Sequence, residues 1–370
     1  MYRKQLKNYI PLSGPATRCP CDGTEGPFRV SLGFTPKWYH DRLGIDFSEC
    51  WHFDPQYRYD SLMKMRRLLH EKFPTVEHFA PHIEENGVDY QCATLDGVYG
   101  SLLIAGIYGM KGYYAADNWP STSPDDCFSM EDLMPLTPID LDKNPLFQDL
   151  TRQMDYIEGK WGKISGYISY QGVLNNAFRL RGQEIFIDMM EEPEFAHDLF
   201  EHITETMLNT AKRVQKRQRD SGFYINMTSN SNCVMNMISP DMYEEFILPC
   251  DRRIAGEFER FGIHTCNWNA TPYIDKLSKI PDLGYIDMGI DTDMERMRRV
   301  FPEARRGVLY SPVKVQNASM EEIEADFRLI AEKLAPCDLI LADMETDIPD
   351  QRIIDMLKLS DKISAELQNN

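Results

Sequence analysis

From Lys163 onward, short apolar runs alternate with long amphipathic segments. This alternation constrains the fold more than any other feature of the chain. Lys163 to Ser169, Phe223 to Met227, Ile263 to Cys266, Tyr285 to Met288, Gly307 to Tyr310 and Asp338 to Ala342 each read as a strand. Helical patterns separate them: Val173 to Arg219 with a break near Glu192-Pro193, then segments opening at Ser239-Pro240, Thr271-Pro272, Asp291-Thr292-Asp293, Ser319 and Asp350. Ser239 suits an N-cap with proline at the first helical position, and Ser319-Met320-Glu321-Glu322 suits a capping box. Strands spaced by helices imply parallel pairing with right-handed crossovers. The N-terminal third then has to supply two more strands. Pro27 to Gly33 is a good candidate, and Ser101 to Ile107 the second. Six and two close a (β/α)8 barrel of the α/β class. No G-x-G-x-x-G follows any strand, so the open doubly wound alternative has nothing to support it.

The 370 residues suit one such barrel with insertions. Residues 1–26 read as an N-terminal extension. The segment 90–145, rich in Gly, Tyr, Asp and Pro, reads as an irregular excursion over one mouth. No linker splits the chain, so residues 1–370 are expected to form a single domain. The net charge of −18, with no long basic run to offset it, makes nucleic acid and anionic membrane poor partners. No apolar run reaches the length of a membrane span. The opening residues lead into no apolar secretory core, and nine cysteines fall in no framework pattern. The expected compartment is a reducing cytoplasm. Cys19 and Cys21 form a C-x-C with no second pair, a weak metal signal.

In a barrel of this kind the active site lies at the carboxyl ends of the strands. His264 and Cys266 alternate onto one face at such an end. An imidazole and a thiolate side by side supply two of the ligands that Zn²⁺ needs. Glu345, in the loop after the last strand, is the first choice for a third, with Asp343, Asp347 and Cys233 as competitors. An open fourth position would make the metal catalytic. Glu345, Asp287 and Tyr310 stand at strand ends as candidate catalytic groups. Phe34, Trp38, Tyr39, Tyr170 and Trp268, with Asn230 and Cys233, are candidates to line a substrate pocket. Each aromatic taken singly is more often packing.

Several segments resemble the uroporphyrinogen decarboxylase superfamily, and within it the cobalamin-linked methyltransferases. They are Leu32 to Tyr39 with Leu43 to Asp46; Phe178 to Glu184; Ile238 to Pro249; Ile263 to Cys266; and Leu339 to Ala342 leading to Ile348-Pro349. The H-x-C resembles the zinc-dependent methyltransferase branch. The resemblance implies an α/β barrel, bound zinc and a corrinoid presented by a separate carrier protein, since no D-x-H-x-x-G run occurs here. Two departures matter. The decarboxylases carry an Arg-Gln-Ala-Gly-Arg-Tyr signature that holds substrate carboxylates, and Thr17 to Gly23 has no such run. Thiol-methylating members place a cysteine in the last strand's loop, where this chain has Met344-Glu345-Thr346. A His, Cys, Glu set is harder and suits an oxygen ligand. The expected function is therefore methyl transfer from a small methylated donor, a methoxylated aromatic by preference, to the Co(I) corrinoid of a carrier, with zinc as Lewis acid. The rivals are transfer from corrinoid to a thiol or to tetrahydrofolate, uroporphyrinogen decarboxylation, and non-enzymatic tetrapyrrole binding.

Overall fold

The structure, a computed structural model, describes residues 26–369. Seven strands form one parallel sheet: β1 (Phe28–Phe34), β2 (Tyr170–Gln171), β3 (Met227–Ser231), β4 (Arg260–His264), β5 (Leu283–Met288), β6 (Arg305–Leu309) and β7 (Cys337–Met344). Their order is β1-β7-β6-β5-β4-β3-β2. From β2 to β7 each strand neighbours the next, and the first lies beside the last. That is the order of a ring; a doubly wound sheet reverses direction at a switch point.

The eighth stave is reduced to one parallel bridge between Thr94 and Ser165. Leu95 N donates to Ser165 O at 3.0 Å, and Tyr167 N donates to Asp96 Oδ1 at 2.8 Å. The molecule is thus an α/β barrel of eight staves, with a seam between β1 and the Thr94 stave where no ladder is formed among the described residues.

Some sequence expectations are corrected here. The apolar run Ser101 to Ile107 is not a strand; Leu103–Ile107 is a short helix. The missing stave lies inside the segment 90–145. The strand expected over Lys163 to Ser169 is ordered as β2 only at Tyr170–Gln171, and the one expected at Phe223 to Met227 begins where that range ends. β4 starts at Arg260, because the preceding helix stops at Gly256. Residues 1–25, with Cys19 and Cys21, lie outside the described residues.

The helical signals hold up better. The long region after β2 divides into Val173–Arg181, Glu184–Glu191 and Pro193–Asp220. Ser239 caps the next helix by accepting from Met242 N, and Ser319 forms the capping box with Glu322. Pro249 follows a π-helical turn at Tyr243–Ile247. A proline inside a helix removes one ladder bond and clashes with the carbonyl four residues back, and a widened turn relieves this. No described helix is long and apolar enough to cross a membrane.

The ladder register positions the site. Ser231 pairs with His264, His264 with Asp287, and Asp287 with Gly307. Paired residues of parallel strands point the same way, so these positions form one inward layer near the carboxyl mouth. Deeper in the barrel, Asp338 is fully buried between two arginines. Arg29 Nε lies 2.8 Å from its Oδ1, and Arg305 Nε lies 2.9 Å from its Oδ2. The buried charge is tolerated because both carboxylate oxygens meet guanidinium donors.

Candidate metal centre

Three ligand-type side chains meet at the mouth. The ligand atoms of Cys233, His264 and Cys266 all lie within 4.8 Å of one another. His264 ends β4. Cys266 follows two residues later in the left-handed region, at φ +65°. An L-residue there costs roughly 1–2 kcal/mol, so the surrounding structure has to hold it. Part of that hold comes from Gly289. Its N–H donates to Trp268 O at 2.8 Å, and a Cβ at this position would lie 2.6 Å from Asn267 O. Only glycine lets the end of β5 pack so closely against the loop that carries Cys266.

Cys233 comes from the end of β3. Asn232 N donates to His264 O at 2.8 Å, extending the β3–β4 pairing by one residue. Below it, the buried Asp251 fixes the strand end. Asn230 Nδ2 and Asn232 Nδ2 each donate to an Asp251 oxygen at 2.9 Å, and the Tyr243 hydroxyl donates at 2.7 Å. Burial raises the Asp251 pKa, against the pull of these three bonds. Asn230, expected to touch substrate, gives its Nδ2 to Asp251. Sequence reading missed Asp251 itself, which lies on a helix, away from any strand end.

His264 is oriented by Asp287. Its Nδ1 lies 2.7 Å from Asp287 Oδ2, while the other carboxylate oxygen accepts from Thr265 N at 2.9 Å. The Tyr285 hydroxyl also donates to Oδ2, at 3.2 Å. A carboxylate on Nδ1 leaves Nε2 for a metal. Burial is the largest single influence on the imidazole and opposes its charge. The Asp287 carboxylate and the Cys233 sulfur outweigh it together, so the net shift of the His264 pKa is upward. The two thiols share a hydrogen bond; it holds Cys266 toward the thiolate and Cys233 toward the thiol.

A tetrahedral zinc with bonds of about 2.0–2.3 Å keeps its ligand atoms about 3.5 Å apart. The Cys233, His264, Cys266 ligand atoms, within 4.8 Å of one another, lie within reach of that spacing, and two sulfurs and one nitrogen are donor types zinc prefers.

The other expected residues lie outside the three-ligand cluster, some of them beside it. Glu345 is outside this group; its Oε2 accepts from Thr35 Oγ1 at 3.3 Å. Asp343 is nearer. It too is left-handed, at φ +53°, and open to solvent within the mouth. The enclosing wall, then the Cys266 thiolate, raise its pKa, while the Trp119 indole bonds to it. Asp347 bonds to Gln316 on the surface. The Tyr310 hydroxyl donates to Asp326 Oδ2 at 2.6 Å, and its ring packs on Phe327. Phe34, Trp38 and Tyr39 are fully buried in an aromatic cluster; Phe34 lies 4.2 Å from Trp38 and stacks on Phe73 at 5.6 Å. Tyr170 is buried as well. Trp268 is 47% exposed at the rim, with its indole N–H on Cys233 O at 2.9 Å. The segment 90–145 reaches the same mouth, through Trp119 on Asp343 and through Ser101 and Thr122 on Arg179.

An α/β barrel with a Cys, His, Cys cluster at its carboxyl mouth is the class these observations define. Residues 174–335 match the sequence model of the uroporphyrinogen decarboxylase (URO-D) family. The resemblance to that superfamily therefore rests on the family's own pattern over this segment, as well as on the motifs. Among solved structures, a methyltransferase from Methanosarcina mazei shares the fold with a TM-score of 0.62 at 14% identity, over 92% of this chain and 95% of that one. A Listeria monocytogenes structure described as a vitamin-B12-independent methionine synthase aligns at 10% identity with a TM-score of 0.37, over 62% of this chain and 72% of that one. That likeness is too low to carry an argument. No curated protein matches the chain.

Proposed function

We propose that this chain is a zinc-dependent methyltransferase that works with the corrinoid of a separate carrier protein, removing methyl from a small methylated substrate held in the barrel mouth. The observation that carries the reading is the Cys233, His264, Cys266 cluster, with Asp287 behind the histidine, at the carboxyl end of the barrel. The M. mazei methyltransferase supports it through fold alone. Cys233, His264 and Cys266 would hold the metal, leaving a fourth position open. A zinc bound there supplies Lewis acidity toward the heteroatom that bears or receives the methyl group.

The chain's own residues do the rest. Asp287 holds the His264 proton on Nδ1 and keeps the ring in one orientation. Asp251 anchors the strand end that carries Cys233. Trp268 and Trp119 flank the mouth and narrow the access of water. Asp343, with its proton affinity raised, is an acid of the mouth that is not spent on orienting His264 and whose carboxyl feels the Cys266 thiolate. Under this reading it replaces Glu345 as the group best placed to exchange a proton with a leaving heteroatom.

The donor set bears on the substrate. Two sulfurs and a nitrogen are softer than the His, Cys, Glu set expected from the sequence. A softer set suits a sulfur heteroatom. This favours a second reading, methyl transfer from corrinoid to a thiol. One experiment separates the two. Zinc-loaded protein is incubated with a Co(I) corrinoid carrier and methoxylated aromatics in one arm, and with the methylated carrier and thiols in the other. Methyl transfer in the first arm supports demethylation, and in the second the thiol reading. Transfer in neither, or transfer unaffected by removing zinc, overturns the proposal.

A further inference from the structure

Among the described residues, Arg179 has no carboxylate partner. Arg179 lies on the helix Val173–Arg181, which follows β2 directly. Its guanidinium reaches only two hydroxyls: Nη1 to Thr122 Oγ1 at 3.4 Å and Nη2 to Ser101 Oγ at 3.2 Å. Its Nε is shielded from solvent and has no hydrogen-bond partner. By contrast, the neighbouring Arg181 holds Asp188 with two bonds, Nε at 2.8 Å and Nη2 at 3.0 Å. A guanidinium carries five N–H donors in a planar fork suited to two oxygens of one anion. Two hydroxyl contacts leave most of that capacity unused and all of the charge uncompensated.

The position of Arg179 gives this meaning. Residues four apart share a helix face. Asn175 is four before Arg179, and its Oδ1 accepts from Val234 N at 3.2 Å, beside Cys233. The shared face therefore looks toward the loop that carries one of the clustered sulfurs. Gln171, whose Oε1 accepts from Asn175 Nδ2 at 2.7 Å, continues this polar wall down to the end of β2. Four residues of helix advance about 6 Å along the axis. Arg179 thus lies one helical turn along the same face from Asn175, the residue that touches the loop bearing Cys233.

We propose that Arg179 binds a carboxylate on the substrate and so sets its methyl-bearing or methyl-accepting end at the Cys233, His264, Cys266 cluster. This rests on the functional reading above and deepens it: the substrate is a small anion, bound at one end by Arg179. The charge matters because the protein is strongly acidic overall, at −18, and Asp343 stands near the cluster. A carboxylate would be repelled from such a mouth unless a dedicated cation received it.

The test is direct binding by calorimetry to the full-length, zinc-loaded protein, with two matched pairs of probes. One pair is 4-methoxybenzoate and 4-methoxybenzyl alcohol; the other is 3-mercaptopropionate and 2-mercaptoethanol. The proteins are unmodified, Arg179→Gln and Arg179→Lys. In at least one pair the unmodified protein should prefer the carboxylate by about 10-fold or more, as a charge-assisted pair provides. Arg179→Gln should erase that preference while leaving affinity for the neutral partner within about 3-fold, and Arg179→Lys should keep part of it. Circular dichroism and thermal unfolding establish that the variants fold; if Arg179→Gln does not, Arg179→Lys and salt titration of the unmodified protein's preference decide. The proposal is overturned if neither pair shows a carboxylate preference, or if the preference survives Arg179→Gln. Binding needs no corrinoid and no turnover. Absence of methyl transfer with charge preference intact therefore defeats the functional reading alone, and the converse defeats only the role of Arg179.

Discussion

Replacing Asp287 by asparagine probes the metal reading where the geometry is most specific. The carboxylate takes three donors: His264 Nδ1 at 2.7 Å and the Tyr285 hydroxyl at 3.2 Å on one oxygen, and Thr265 N at 2.9 Å on the other. Asparagine offers one oxygen and one NH₂. Whichever way the amide turns, an N–H faces either the imidazole or the Thr265 amide. Leaving one buried donor unmatched costs about 1–3 kcal/mol of folding stability. The effect on metal is separate. Asp287 fixes the ring orientation and raises its basicity, and loss of such a partner typically weakens metal binding about 10–100-fold. That corresponds to about 1.4–2.8 kcal/mol. The assay is competition for zinc against a chromophoric chelator at neutral pH, on protein shown to be folded by circular dichroism. Asp287→Asn should bind zinc with unchanged stoichiometry and an affinity lower by one to two orders of magnitude. A folded variant whose zinc affinity stays within about twofold of the unmodified protein would refute the link between this hydrogen bond and the metal.

Three further outcomes follow from the same geometry. Cys233→Ala should abolish stoichiometric zinc on metal analysis, whereas Glu345→Gln should retain it; the reverse pattern would restore Glu345 as the third ligand. Trp38→Ala should lower stability by about 3–5 kcal/mol in denaturant titration, the usual cost of emptying an aromatic core site, whereas Trp268→Ala should change it by less than about 1 kcal/mol as a rim substitution. For Asp338, burial raises the pKa but Arg305 and Arg29 outweigh it, so the folded value is depressed; its stabilisation is present above the unfolded pKa of about 3.9 and is lost as pH falls through the folded value. The stability gap between unmodified protein and Asp338→Asn, measured by urea unfolding, should therefore be flat from neutral pH down to about pH 5 and narrow only below about pH 4.

The βα rhythm was legible because the later strands are short apolar runs bounded by clear helix starts. Ser239, Ser319 and Pro193 announced their helices through capping and proline chemistry. The early staves were not legible. Ser101 to Ile107 is as apolar and as short as a strand, and a run of that length looks alike in either state. The real stave makes one bridge at Thr94, too few residues to show alternation. A period of two paired His264 with Cys266, yet β4 ends at His264 and Cys266 reaches the cluster from a left-handed loop position. Cys233 was on the rim, yet ranking it above Glu345 required knowing that Ser231 sits beside His264. That register is a property of two strands, and neither strand's sequence states it. The buried aromatics fail for a related reason. Phe34 does end a strand, but its ring turns into the helix layer with Trp38, and chain position does not record that direction. Arg179 was visible within a family-like segment. Its lack of a carboxylate partner among the described residues is apparent only from the two hydroxyls its guanidinium meets.

All three clustered ligands lie within a single crossover, β3 to β4 and the loops just past them, with the orienting carboxylate one strand further on. The groups that face them across the mouth come from other parts of the chain: the helix after β2 and the segment 90–145. The division has an evolutionary consequence. Reactive machinery and recognition surface sit on separate cassettes of one ring, so a lineage can rewrite what the mouth accepts, by insertion or by a single charge reversal, without disturbing the residues that perform the chemistry.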